Sequence, residues 1–453
     1  VTETAAVSQQ QATVVQGLKR ELGLGSATAM IAGQTIAIGI FLTPAAMAKA
    51  LGSPFLLLIV WLLMGAMTLC GALCIGALAA RFPATGGIYI FLKETYGTKI
   101  AFLYGWMCLL VMDPGLSAAL AIGISSYLAY LLPLTPVQQR VVGAAIILGV
   151  ATLNILGTSI GAGFLRWMTG LKLAVLAFLP IWAVLAAKGS WHNLSPFFAQ
   201  HLGSASLSNT LPEAFVAAFF SFGGWWEISR IAGEIRNPER NLPRAMILGT
   251  SVVTLVYVAV SGIFLYAVPL ERVTSDQIFV SLMGEVLFGQ VGGKLLSLVV
   301  IVSVLSSLAA FMFAAPRVYF AMAKDGVFFP QIGMIQSRLG TPVYAIVLQA
   351  ALACILTLLG TFTQVIAYFV FSTLLFLGLA VLSVFLQQKK RPFELSFGYP
   401  FTPAVFLSLL MALIVLLGVN KPLQSFLGVL VVSMGIPVYR WFRSSFERVG
   451  DAN

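Results

Sequence analysis

The sequence predicts an all-α membrane protein of twelve transmembrane helices. Ten form two inverted five-helix repeats (5+5), and two follow at the C-terminal end. Three observations carry that prediction. Of 453 residues, 59% are hydrophobic and only 9% charged, against roughly 25% charged in a soluble domain, and mean hydropathy is +0.98. Apolar stretches long enough to span a bilayer recur along the whole chain. The first and sixth of these stretches carry glycine interruptions at corresponding places.

A hydrocarbon layer of about 30 Å needs about 20 helical residues at 1.5 Å each. Backbone in lipid must satisfy its own hydrogen bonds, so the spans are helices. They fall at 25–50, 54–80, 99–131, 137–157, 163–187, 211–235, 243–268, 291–322, 343–360, 364–386, 401–418 and 423–441. Before the first lies a Gln-, Ser-, Thr- and Ala-rich tail without a basic leader, which reads as solvated chain and not as a signal peptide. The first span contains "GQTIAIGIFLTP" (33–44), with Gly33, Gly39 and Pro44 in an apolar run. The third holds Asp113 beside Pro114, the fifth holds Lys172 in "WMTGLKLAVL", and the sixth holds "FFSFGGWWEI" (219–228). The expected organisation is a cytoplasmic tail 1–24, a ten-helix transport core 25–390, helices 11 and 12 in 391–441, and a cytoplasmic tail 442–453.

The net charge of +11 raises nucleic acid as a partner, but its distribution favours membrane orientation. With the N-terminus inside, Lys19, Arg20, Arg81, Arg236, Arg240, Lys389, Lys390 and Arg391 all fall on the inner side, and few basic residues fall outside. Both termini are then cytoplasmic. No nucleic-acid partner is required. Cys70, Cys74, Cys108 and Cys354 lie in apolar segments, with no disulfide or metal-ligand spacing.

Enzyme chemistry finds little support. "GTSIG" (157–161) fits G-x-S-x-G, but that elbow needs a strand before it and a helix after it. Here it joins two membrane helices, and His192 and His201 lie in an outer loop where they read as surface residues. There is no phosphate-binding G-x-x-x-x-G-K-[ST] motif and no ring of carboxylates to make a channel filter. The expectation is no catalysis, no cofactor and no metal. Two broken helices in matching positions are instead the pattern of an inverted-repeat transporter, with its substrate at the breaks near the midplane. A sensor on the same scaffold is the lesser alternative, because the tails are too short for a signalling domain.

Several motifs resemble a known group. "IGIF" (38–41) is similar to the G-[S/T/A]-G-I-F element of the amino acid–polyamine–organocation (APC) superfamily. "RFPATGGIYIFLKETYG" (81–97) resembles its loop after helix 2. "FSFGGWWEISRIAGEIRNPERNLPRA" (220–245) resembles its helix 6 and the loop that follows. "PRVYFAMAKDGVFF" (316–329) and "GTPVYAI" (340–346) resemble the helix 8 exit and the start of helix 9. The resemblance runs from about residue 20 to 385 and points to the L-type amino acid transporter branch with a LeuT-like fold. It implies a sodium-independent exchanger or proton symporter for an amino acid or related amine in a cytoplasmic membrane. The chain departs from the pattern at Ala37, Ile38 and Trp226. "LLPLTPVQQR" (131–140) lacks the cysteine that joins a heavy chain, which implies a bacterial form working without that subunit.

The breaks also suggest a site on physical grounds. A helix interrupted midway exposes N–H groups at one end and C=O groups at the other. N–H groups of Ile38, Gly39 and Ile40 suit a carboxylate. Carbonyls of Thr35, Ile36, Phe220, Ser221 and Gly223 suit an ammonium group. The resemblance assigns the same roles and makes Phe220 a lid. Phe222, Trp225 and Trp226 are candidate pocket walls. Lys172 is either a coupling residue tying helix 5 to the inner half of helix 1, as the resemblance implies, or a lysine snorkelling to the inner interface. Glu227 requires a partner in the membrane: Lys172, Arg230, or a cationic substrate group. The expected substrate is a neutral amino acid with Glu227 paired inside the protein. The alternative is a cationic amino acid, polyamine or small amine held by Glu227.

Overall fold

A computed structural model describes residues 20, 22–156, 161–195, 207–270, 279–336, 340–360, 362–390, 392, 398–420 and 422–450. Most of the predicted N-terminal tail, residues 157–160 of the "GTSIG" stretch and His201 lie outside the described residues. His192 sits exposed in a short 3-10 turn, Trp191–Leu194.

Among the described residues the regular elements are all helical. Nine helices are long and apolar enough to cross a membrane: Pro54–Arg81, Thr98–Leu131, Pro136–Ile155, Trp167–Leu185, Pro238–Ala267, Val280–Lys324, Val370–Lys390, Phe401–Asn420 and Ser425–Phe442. The first predicted span is a bent pair, Leu24–Thr35 and Gly39–Leu51, related by 45°, which makes ten. The two remaining stretches of the predicted twelve are shorter. Val343–Leu359 has 17 residues. In the sixth stretch the α-helix Leu207–Phe222 stops after 16 residues, and the chain resumes as a 3-10 helix, Glu227–Glu234. The physical reason is in the sequence: Gly224 takes φ 109°, a backbone no α-helix accommodates.

Leu207–Phe222 packs on Gly39–Leu51, so the outer parts of the two broken segments lie together. Pro238–Ala267 runs along both Pro54–Arg81 and Leu24–Thr35 and closes one side. Thr98–Leu131 packs on Val280–Lys324, and the two supply the other wall. The third segment carries one turn of π-helix at Cys108–Met112, just before Asp113–Pro114. Proline cannot donate to the helix ladder, and the widened turn absorbs the mismatch. Outward faces are apolar, with Leu148, Phe178, Ile181, Leu255, Val302 and Val415 exposed, as lipid contact requires. One parallel bridge pairs Leu22 with Ile235. Leu22 N donates to Glu234 O at 3.1 Å and Arg236 N donates to Leu22 O at 2.8 Å.

Candidate functional site

The breaks of segments 1 and 6 meet at the centre. Leu24–Thr35 ends at Ile36, whose φ/ψ of −75°/72° leaves the helix, and the helix restarts at Gly39. A side chain cannot be added at Gly39, because a Cβ there would lie 2.5 Å from Ser221 Cα. Gly224, at its positive φ, passes over the other side of the same break, and a Cβ there would come within 3.3 Å of Gln34 O. Thr43 Oγ1 donates to Gly39 O at 3.0 Å and stands 2.9 Å from Ser221 Oγ, which ties the outer parts together.

A small cavity opens between the breaks. Of the predicted site residues, Thr35, Ile38, Gly39, Phe220, Ser221 and Gly223 line it. The remaining wall is Gln34, Ala37 and Gly224 from the breaks, Leu116 and Leu120 from segment 3, and Ser307 and Phe311 from segment 8. No charged side chain is among these lining residues. Ile36, Ile40, Phe222, Trp225, Trp226 and Glu227 lie outside the lining. Phe222 packs on Trp61 and Tyr257, and Trp226 stacks on Phe219 with centroids 6.3 Å apart. The void has room for about one water molecule. A void of this size does not hold a larger ligand in this conformation.

Two cations are buried among the spanning segments. Lys172 is 2% exposed, and its Nζ donates to Ile36 O at 2.7 Å, Ser307 Oγ at 2.8 Å and Gly33 O at 3.0 Å. The ammonium thus points into the segment 1 break. Ser307 Oγ in turn donates to Gly33 O at 2.8 Å.

Arg230, 1% exposed, has full charges around it. Its two terminal nitrogens donate to the carboxylate of Asp113 at 3.1 and 3.0 Å. Tyr319 Oη donates to the same carboxylate at 2.6 Å. The Glu227 carboxylate stands 2.9 Å from Arg230 Nε. Of the partners foreseen for Glu227, the structure supplies Arg230. Tyr319 and Tyr257 were missed. Asp113 was noted beside Pro114 and Arg230 as a partner for Glu227, but nothing local joins these two residues, 117 apart in sequence.

The loop motifs after segments 2, 6 and 8 meet at one end of the bundle. Lys93 Nζ reaches Asp325 Oδ1 at 2.7 Å and Tyr89 Oη donates to Asp325 Oδ2 at 2.8 Å, joining the loop after segment 2 to the exit of segment 8. Burial, then the Asp325 charge, pushes the Tyr89 phenol well above its usual range, so it remains a neutral donor. Gly86 N donates to Arg230 O at 3.0 Å, which brings the 220–245 motif onto the same floor.

The Amino acid permease family profile matches residues 22–438. The chain belongs to the amino acid permease family. The permease is 32% identical over 431 residues to the serine/threonine exchanger SteT of Bacillus subtilis (strain 168), covering 93% of this chain and 97% of that protein. It is 30% identical to the large neutral amino acids transporter small subunit 2 of Homo sapiens, covering 93% and 80%. It is 28% identical to the human b(0,+)-type amino acid transporter 1, covering 96% and 90%. The permease is thus a multi-pass membrane protein of a transporter family, as the motifs led one to expect, and its four cysteines are free thiols.

Proposed function

We propose that the permease exchanges neutral amino acids across a bacterial cytoplasmic membrane by alternating access, independently of sodium. The observation that carries this reading is the cavity between two helix breaks, lined by neutral polar and apolar residues with no charged side chain among them. An amino acid brings one positive and one negative group on a single carbon, and opposed helix ends match both. A cationic side chain would add a charge for which the lining offers no partner. Glu227, the candidate for that role, stands against Arg230. The relatives named as exchanger and neutral amino acid transporter favour the same conclusion.

In this reading residues 25–390 carry transport, 391–441 pack outside them, and both termini are cytoplasmic. The subunit works without a disulfide-linked heavy chain. Lys172 couples the state of the segment 1 break to helix 5.

The test is uptake of labelled serine into proteoliposomes with and without unlabelled serine inside. Expected are uptake that needs internal amino acid, competition by neutral amino acids, none by lysine, and no change on replacing sodium with potassium. Gly39→Ala should reduce uptake at least tenfold, because its Cβ would meet Ser221 Cα. Uptake competed by lysine or polyamines and not by serine would overturn the substrate class. Equal uptake into empty vesicles would overturn exchange.

A further inference from the structure

Gln34 is the last residue but one of Leu24–Thr35, and it lines the cavity. It is 6% exposed, yet neither the oxygen nor the nitrogen of its carboxamide has a hydrogen-bond partner among the described residues. Thr35, also buried and in the lining, leaves its Oγ1 in the same condition. The other hydroxyls of the wall are committed. Ser307 Oγ donates to Gly33 O and accepts from Lys172 Nζ. Ser221 Oγ donates to Ala217 O at 2.7 Å and meets Thr43 Oγ1. The uncommitted side-chain polar groups of the lining are therefore those of Gln34 and Thr35, side by side at the segment 1 break.

The backbone at Gln34 is held on both sides. Lys172 fixes the carbonyls of Gly33 and Ile36, and Gly224 of the other break passes against Gln34 O. A buried amide with no partner is destabilising, and an apolar side chain at this position would avoid that cost. Such a group is explained where a ligand completes it, and it then discriminates sharply, because a ligand lacking the matching group leaves it unpaired.

The chemistry of the two orphaned atoms selects the ligand. A carboxamide carries an acceptor and two N–H donors in one plane. A hydroxyl on the ligand meets one end of it at a time. A carboxylate offers acceptors only and brings a charge for which the lining has no partner. An alkyl group meets neither end. A second primary carboxamide meets both at once, its C=O against Nε2 and its N–H against Oε1, and keeps one N–H for an acceptor such as Thr35 Oγ1.

We propose that Gln34 is the specificity-determining residue of the permease, and that its preferred substrate carries a primary carboxamide side chain, as asparagine and glutamine do. The inference rests on the amino acid reading above and adds to it the side chain that is carried. The pairing forms in the conformer that has opened to substrate, and it restores to Gln34 the partners it lacks in the closed one.

The test measures Kd by calorimetry on the purified permease, wild type and Gln34→Met, for asparagine, glutamine, leucine and aspartate. Leucine has the branched shape of asparagine without its polar atoms, and aspartate has that shape without the N–H donors. Wild type should bind the better of the two amides about thirtyfold more tightly than leucine, the scale of two neutral hydrogen bonds, and should bind aspartate more weakly than either. Methionine approximates glutamine in length and removes both amide atoms. In Gln34→Met the preference over leucine should nearly vanish, through weaker amide binding and with leucine binding no weaker. Equal losses for the amides and leucine would make Gln34 a structural residue and overturn the proposal. Should the Met variant not fold, the wild-type ranking carries the test, and amides bound no more tightly than leucine refute the idea. If wild type binds no amino acid at all, the transport reading falls and this inference with it. If it binds serine or leucine as tightly as asparagine and glutamine, this inference alone falls.

Discussion

Lys172 and Arg230 are both cations buried inside the spanning region, and their surroundings differ in kind. Lys172 is met only by neutral acceptors, two backbone carbonyls and a hydroxyl. Arg230 is met by two carboxylates, Asp113 and Glu227. A cation held by dipoles has acceptors that move with the backbone: when the segment 1 break changes shape, Ile36 O and Gly33 O leave Lys172 together. A cation held by carboxylates loses a full charge partner if any contact opens, and that is costly in a low dielectric. We therefore read Lys172 as part of the moving joint and the Arg230 cluster as the lock that fixes the inner part of segment 6 to segments 3 and 8.

The contrast is most easily broken at Arg230. Arg230→Met would leave Asp113 and Glu227 facing each other without their cation. Removing one member of a buried pair costs about 3–5 kcal/mol, so folded yield and melting temperature in detergent should fall sharply. The triple change with Asp113→Asn and Glu227→Gln should recover part of the loss. A stable Arg230→Met protein would show that the cluster is no lock.

Lys172→Ala should do the reverse. Its neutral acceptors are left short of donors at about 1–3 kcal/mol, so the melting temperature should drop less than for Arg230→Met while exchange falls at least tenfold. A normal exchange rate would remove Lys172 from the mechanism.

Glu227→Gln sharpens the comparison from within the cluster. Arg230 keeps both hydrogen bonds to Asp113, and Glu227 does not line the cavity. Expected is a few-fold lower exchange rate with the ranking of competing amino acids unchanged. A selective change in lysine or polyamine binding would instead make Glu227 a substrate contact.

The smallest effect belongs to Lys93→Ala. Its pair with Asp325 is partly solvated, with the side chains 31% and 22% exposed. Such pairs contribute about 1 kcal/mol or less. A small, salt-sensitive drop in melting temperature is the expected outcome, and a collapse like that of Arg230→Met would blur the distinction between floor and lock.

The breaks were legible because Gly223–Gly224 in an apolar run have no role in a plain span, and a second interruption at Gly39 matched them. Lys172 and Glu227 were legible because charge in a membrane needs a reason. The count of twelve came from hydropathy, which does not register that Gly224 cuts the sixth helix short or that the ninth has 17 residues. The other cavity wall was not legible. Leu116, Leu120 and Phe311 are ordinary apolar residues, and only the fold brings them to the breaks. Tyr257 in "TLVYVAV" likewise reads as one more aromatic until its hydroxyl is seen between two carbonyls. Trp225, Trp226 and Phe222 share the motif with the lining residues, yet pack behind the cavity; a motif gives neighbours in sequence and does not say which way each side chain turns.

The short parallel bridge at Leu22 and Ile235 has a mechanical consequence. It joins the chain just before the first broken segment to the chain just after the sixth by two backbone hydrogen bonds. Two levers pinned at their free ends have one degree of freedom where separate levers have two. A load on the chain before segment 1 is therefore passed through these two bonds to the segment that Arg230 fixes to segments 3 and 8.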